Sequence, residues 1–271
     1  FKVWGPDNIE PDLDGMTLRE QWLLDPQEDW HGFGHLNSHF NMLDPIKATI
    51  VTPGLNISGE FDAEGIPASV VTRYLSEHGI IVEKTGLYSF FIMFTIGITK
   101  GRWNTLLAAL QQFKDDYDKN QPMWRVLPEF CSNFSQYERV GLKDLCYQLH
   151  NVQKDNDVAK LTTEMYLSEM EPVLRPADAF AHLARGETER VPIDELEGRV
   201  TTSLLTPYPP GIPLLIPGER FNEIIVNYLK FARDFNSQFP GFEADIHGLI
   251  TDVQENGSKE YYVDCLSTAN I

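Results

Sequence analysis

The 271-residue sequence predicts an α+β fold in two parts, a small layered unit over residues 1–120 and a second α+β unit over residues 121–271. Three observations predict it. Between residues 46 and 118 the hydrophobic pattern reads strand, helix, strand, strand, helix, the order of helices laid on one face of a sheet. The polar run Asp115-Asp116-Tyr117-Asp118-Lys119-Asn120-Gln121-Pro122 then interrupts all periodicity. Beyond it come helical patterns, a β-rich stretch broken by prolines, an amphipathic helix and a hairpin pattern.

Taken in order, residues 1–40 are polar and irregular and read as a loop-rich lead-in. Ile46 to Thr52 is β-branched and stops at Pro53-Gly54, which makes it a strand. Gly65-Ile66-Pro67-Ala68 opens a helix with Pro67 near its first turn. Val70, Val71, Tyr74 and Leu75 are its apolar face, and Gly79 is the expected C-cap. Ile80 to Val82 begins a second strand, and Tyr88 to Ile98, apolar on both faces, is an interior third. Lys100 to Tyr117 is a helix with Trp103, Leu106, Leu107, Leu110 and Phe113 on one side. Past the polar break, Leu142 to Val152, Val158 to Leu167 and Arg175 to about Gly186 read as helices. Val200 to Leu205 is expected as a strand and Glu219 to Phe235 as a helix. Phe242 to Thr251 and Lys259 to Leu266 form a hairpin pattern around Glu255-Asn256-Gly257.

Composition excludes several classes of function. Hydrophobic residues make up 42%, ample for a core, yet no apolar run reaches the ~20 residues of a membrane helix. A net charge of −18 speaks against a nucleic-acid groove and against an anionic membrane surface. It suits a basic small-molecule substrate, although solubility alone also explains it. Cys131, Cys146 and Cys265 cannot all pair and make no Cys-x-x-Cys, so a reducing, cytoplasmic compartment is expected. The chain opens on Phe1 with no signal-peptide pattern and is read as a piece of something longer.

The segment Thr206-Pro207-Tyr208-Pro209-Pro210-Gly211-Ile212-Pro213, continuing to Pro217-Gly218-Glu219, is too proline-rich for a helix interior or a central strand. It reads as a stiff crossover. Glu83 ends the second expected strand beside Lys84, Thr85 and Gly86. A carboxylate there suits a substrate ammonium, with Thr85 lending a hydroxyl; on the residues alone an edge-strand salt bridge is the commoner reading. Trp30-His31-Gly32-Phe33 gathers aromatics around one imidazole and reads either as the lining of a cleft or, more commonly, as hydrogen-bonded packing. Asp44-Pro45-Ile46-Lys47 reads as a capped turn entering a strand. His31, His35 and His39 would share a helix face, but Gly32, Gly34 and Asn37 argue against that helix, and no metal is expected. His247 reads as structural, and Glu187, Glu189, Asp194, Glu195 and Glu197 as a solvated polar loop. No phosphate loop, Gly-x-Gly-x-x-Gly or Ser-His-Asp spacing occurs.

The Tyr208–Pro213 block with Pro217-Gly218-Glu219 resembles the C-terminal signature of the bacterial ornithine/lysine/arginine decarboxylases, large pyridoxal-phosphate enzymes of the aminotransferase-like fold. Trp30–Phe33, Leu43–Lys47, Gly79–Gly86, and Phe239–Glu243 followed by Asp245–Gly248 agree with it, so the resemblance runs from about Trp30 to about Gly248. It implies that residues 1–120 end the catalytic unit and that residues 121–271 are the C-terminal domain. It also implies that Glu83 and Thr85 face the distal amino group of a basic amino acid, lysine above arginine or ornithine. Trp30 and His31 remain candidate cleft-lining residues. The family's Ser-x-His-Lys motif and its upstream acid are absent, and no lysine follows a histidine. The resemblance thus places the catalytic residues and most of the pyridoxal-phosphate site in the rest of a parent chain. It further implies homodimers, several of which assemble into rings, polyamine-type products and a role in acid resistance. A non-catalytic assembly or regulatory module derived from such an enzyme, and a hydrolase built on carboxylates, are the rival readings.

Overall fold

The computed structural model describes residues 1–5, 20, 22–28, 30–34, 36–208, 211–253 and 259–267. β1 (Lys2–Val3), β2 (Lys47–Val51), β3 (Lys84–Thr85) and β4 (Ser89–Met93) form an antiparallel sheet in the order β1-β2-β4-β3. β4 is interior, as its apolar faces predict, but it is shorter than Tyr88 to Ile98. The strand expected at Ile80 begins only at Lys84, so Glu83 precedes it rather than ending it. The cause is local: the Ile80 N–H still bonds the Leu75 carbonyl at 2.9 Å, and Ile80 and Val82 pack on the core instead of pairing. β1 lies inside what reads as lead-in loop, since two residues carry no periodicity.

α1 (Ala68–Glu77) starts at Pro67 and buries Val70, Val71, Tyr74 and Leu75; Gly79, at φ 73°, sits one residue past the C-cap His78. α2 (Lys100–Asp118) buries Leu106, Ala109, Leu110 and Phe113. Trp103 and Leu107 are 40% and 46% exposed. Leu107 lies a third of a turn off the buried stripe, and Trp103 one turn ahead of its covered part. α3 (Met123–Val126), α4 (Pro128–Asn133) and α5 (Leu142–Asp155) complete the first layer. Its core joins Phe90, Leu75, Phe113 and Leu145 to Phe235, Phe239 and Phe242 from far along the chain. Within the polar break, Asn120 at φ 46° accepts from the Lys143 and Asp144 N–H groups and so caps α5.

The rest of the chain holds α6 (Val158–Leu167), β5 (Glu171–Pro172), α7 (Pro176–Ala184), β6 (Thr188–Pro192), β7 (Thr206–Tyr208), β8 (Glu219–Arg220), α8 (Glu223–Gln238), β9 (Asp245–His247), β10 (Ile250–Val253) and β11 (Lys259–Leu266), and its core joins Met165, Val191, Phe221, Leu229, Ile246 and Val263. β10-β11-β6 is a three-stranded antiparallel sheet, and β5–β8 and β7–β9 are two-stranded. Val200 to Leu205 holds isolated bridges; the strand follows it, at the start of the proline-rich segment. Pro207 is tolerated because a two-stranded ribbon has only edges. Pro209 and Pro210 lie outside the described residues. α8 starts at Glu223, later than Glu219, because the Asn222 side chain caps it by accepting from the Ile225 N–H at 2.9 Å. The hairpin pairs Ile250 with Tyr262 through Val253 with Lys259, its turn at 255–257 lying outside the described residues. Its first strand splits at Gly248 (φ 95°), where a Cβ would meet the Leu204 carbonyl oxygen. The acidic run at 187–197 is no loop: Thr188–Pro192 is a strand, and Glu189, Glu187 and Asp194 pair with Arg199, His182 and Arg233.

Candidate functional site, a cleft between the two cores

A cleft of about 790 Å³ opens between α1 and β3 on one side and α6 and α8 on the other. Ser69, Thr72 and Ser76, at helical spacing on α1, contribute one wall; Tyr228, Phe231 and Phe235 of α8 contribute another. Three of the segments singled out in the sequence meet here: Val82 to Gly86, Tyr208, and Gly241 to Glu243. The pairing of β7 with β9 brings the last two together. Gly241, at φ 94°, lies so close to Phe130 and Phe134 that a side chain has no room. Arg73 ties the halves, donating to the Gly241 carbonyl at 2.7 Å and lying 5.4 Å from the Phe130 ring centre.

Thr85 lines this cleft; Glu83 does not, although its neighbours Val82 and Lys84 do. Glu83 is exposed, held by its N–H to the Phe91 carbonyl at 2.9 Å. Trp30 and His31 lie elsewhere. Trp30 packs edge-on against Trp4, next to β1, at 5.2 Å. β1 and β3 are opposite edges of the sheet, about 14 Å apart by strand spacing. His31 is buried; its Nε2–H donates to the Asp25 carbonyl at 2.7 Å and its Nδ1 accepts from the Phe33 N–H at 3.0 Å. That is the hydrogen-bonded packing arrangement. Asp44 caps its turn, accepting from the Ile46 N–H at 3.2 Å and pairing with Lys47 at 3.3 Å. His247 stands exposed, 3.1 Å from Asp245 and tilted against Tyr208.

Among the described residues no group of three His, Cys, Asp or Glu side chains could hold a metal; His35 lies outside them. Burial pushes the Cys131 and Cys146 thiols up and the Cys265 thiol up to about 12, so none is an activated nucleophile. Pyridoxal phosphate requires an enclosed lysine amine. Among the described residues no lysine is buried, and Lys84, on the cleft wall, is exposed on an edge strand. These residues do not fit the reactive end of that cofactor, and no step through it follows from them. Sequence reading passed over Gln153, which is buried in the cleft wall, and His150, which bonds Tyr88 inside the first core. Their signal was a polar residue on the apolar stripe of α5.

Fold and site define an α+β chain whose two cores face each other across an aromatic and hydroxyl-edged cleft. The sequence matches the Orn/Lys/Arg decarboxylase major domain over residues 1–102 and the Orn/Lys/Arg decarboxylase C-terminal domain over residues 159–267. The chain belongs to the Orn/Lys/Arg decarboxylase family. It is 47% identical over 98% of its length to lysine decarboxylase LdcA of Pseudomonas aeruginosa, of which it covers 36%. It is 35% identical over 86% of its length to the biodegradative arginine decarboxylase of Escherichia coli, of which it covers 31%. The solved lysine decarboxylase A from Pseudomonas aeruginosa superposes with a TM-score of 0.89 at 46% identity, covering 98% of this chain and 36% of that one. The constitutive lysine decarboxylase of Escherichia coli superposes at 0.85 and 34% identity, again over 98% of this chain and 36% of that one. The chain thus spans about a third of the length of the relatives it matches.

Proposed function

We propose that this chain is the C-terminal part of a pyridoxal-phosphate-dependent decarboxylase of a basic amino acid, lysine in preference to arginine or ornithine. Residues 1–120 end the catalytic unit and residues 121–271 are the C-terminal domain. One observation carries the reading most directly: the Val82–Gly86 segment and the two C-terminal segments that resemble this family converge on one cleft with Thr85 in its wall. Glu83, exposed at the sheet edge, attracts the substrate's distal ammonium, and Thr85 adds a hydroxyl acceptor. The reactive amine and most of the cofactor contacts come from the rest of the parent chain. The substrate carboxylate leaves as CO₂ and a proton takes its place, giving a diamine or agmatine; that proton uptake suits acid resistance. The parent works in the cytoplasm as a homodimer that assembles into rings.

In the parent, Glu83→Gln is expected to lower kcat/KM for lysine about 10- to 100-fold, the worth of a charged hydrogen bond. An unchanged kcat/KM removes Glu83 from substrate recognition. A purified parent with no cofactor absorbance removes the decarboxylase reading altogether. A second reading, a non-catalytic assembly module, draws on Ile81 and Leu167, 89% and 79% exposed on the cleft lining, where another polypeptide surface would cover them.

A further inference from the structure

The ribbon of β7 and β9 carries four side chains on one face, because its register sets Thr206 opposite His247 and Tyr208 opposite Asp245. Pro207 and Ile246 occupy the other face and are buried. Tyr208 is half-exposed and lines the cleft. Its ring is held on two sides. The His247 ring lies 4.7 Å away, tilted by 35°. Gly211, at φ 77°, backs onto the phenol so closely that a Cβ there would come within 2.9 Å of a ring carbon. His247 is itself tethered, its Nε2–H donating to the Asp245 carboxylate at 3.1 Å.

Stability does not account for this arrangement. The His247 and Asp245 side chains are 61% and 70% exposed, and a pair so open to water adds little to a fold. What the pair fixes is the direction of the phenol. A tyrosine on an open surface turns about two side-chain bonds, and a ligand that needs one orientation bears the cost of ordering it. In Tyr208 the ring is ordered beforehand, while its hydroxyl bonds no other described residue and stays free to donate and to accept. The other two tyrosines of the lining differ. Tyr166 gives its hydrogen to the Ile212 carbonyl at 3.1 Å, and Tyr228 is buried. Among the described residues, Tyr208 is thus the tyrosine of the wall that joins an ordered ring to an uncommitted, solvent-facing hydroxyl.

We propose that His247 is a positioning residue: with Asp245 it holds Tyr208 so that the phenol hydroxyl meets the substrate in the cleft, while the imidazole itself touches none of it. The role rests on the decarboxylase reading for the identity of that substrate; the clamp on the ring rests on the β7–β9 geometry alone. Losing the prior ordering of one such side chain weakens binding about two- to tenfold.

Steady-state kinetics of the full-length parent with lysine test it, together with a fluorine NMR signal from 3-fluorotyrosine at position 208, assigned by its loss in Tyr208→Phe. Tyr208→Phe keeps the ring, drops the hydroxyl and should raise KM about tenfold with kcat little changed. His247→Ala should raise KM about two- to tenfold, with a melting temperature that barely moves. In the Tyr208→Phe background the same His247→Ala change should have almost no further effect, since a ring without its hydroxyl has nothing left to aim. Asp245→Asn, which keeps an acceptor for the imidazole N–H, should lose less than Asp245→Ala. The fluorine line should shift or broaden in His247→Ala. An unchanged KM in His247→Ala, or a penalty equally large with and without the Tyr208 hydroxyl, overturns the proposal. Lysine turnover with an unmoved fluorine line removes the positioning role alone. A parent that decarboxylates no basic amino acid refutes the decarboxylase reading, and the fluorine line then decides by itself whether His247 holds the ring.

Discussion

His150 is fully buried, with its Nδ1 accepting from the Tyr88 hydroxyl at 2.7 Å and its Nε2–H donating to the Asp62 carbonyl at 3.1 Å. The Asp62 bond pins the loop between β2 and α1 to α5, the Tyr88 bond ties α5 to the turn before β4, and the imidazole sits so tightly on Gly65 that a side chain there would strike it. Tyr88→Phe leaves a buried imidazole nitrogen without its donor, a cost of about 1–3 kcal/mol. His150→Leu leaves the Tyr88 hydroxyl unpaired at a similar cost, about 1–3 kcal/mol. The Asp62 carbonyl is spared, since Lys154 also donates to it at 2.9 Å. The double variant removes both ends of the Tyr88–His150 bond at once, so its cost should fall short of the sum by about 1–2 kcal/mol. Urea unfolding of the four proteins, followed by tryptophan fluorescence, measures this. Additivity within about 0.5 kcal/mol would falsify the coupling and show that the two side chains act only as packing volume.

Gly248→Ala should destabilise by about 2 kcal/mol, because it combines a left-handed φ of 95° with a collision at the Leu204 carbonyl; an unchanged melting temperature would contradict the close approach. Asn222→Ala should cost about 1–2 kcal/mol, losing the α8 cap and the bonds to Ser168 and the Glu169 carbonyl, whereas Asn222→Asp should retain the cap, by the same melts. Burial raises Tyr74, Tyr117 and Tyr137 to about 12, each helped by nearby acidic groups. A raised folded value favours the neutral form, so this stability is whole below the unfolded value of about 10 and declines as pH climbs through about 12. Urea midpoints measured from neutral to strongly alkaline pH should fall across that window; a flat profile would count against sealed phenols.

The long helices were legible because each carries a sustained apolar stripe. Val158–Leu167 was readable to the residue, and α1, α2 and α5 within a few. The two-residue strands at Lys2, Glu171 and Glu219 were not, because two residues show no alternation. β6 looked like loop because its charges are matched from outside the strand, Glu189 by Arg199 and Arg190 by Asp252. Of the two substrate residues that resemblance to a known family singled out, Thr85 lies in the cleft wall and Glu83 does not. The polar wall of the cleft was not legible, since Thr72, Thr162 and Gln153 sit on three different helices and meet only when the two cores face each other.

Phe235, Phe239 and Phe242 complete a core whose other members all precede residue 150. A nascent chain leaving the ribosome cannot finish its first layer until those rings emerge, after most of the second layer has been made. Truncation anywhere between α5 and α8 would therefore leave an unhealed wound in the amino-terminal half, with Phe130 and Tyr137 stripped of their Phe242 neighbour. A library of nested carboxy-terminal deletions should gain solubility only once the cut passes Phe242.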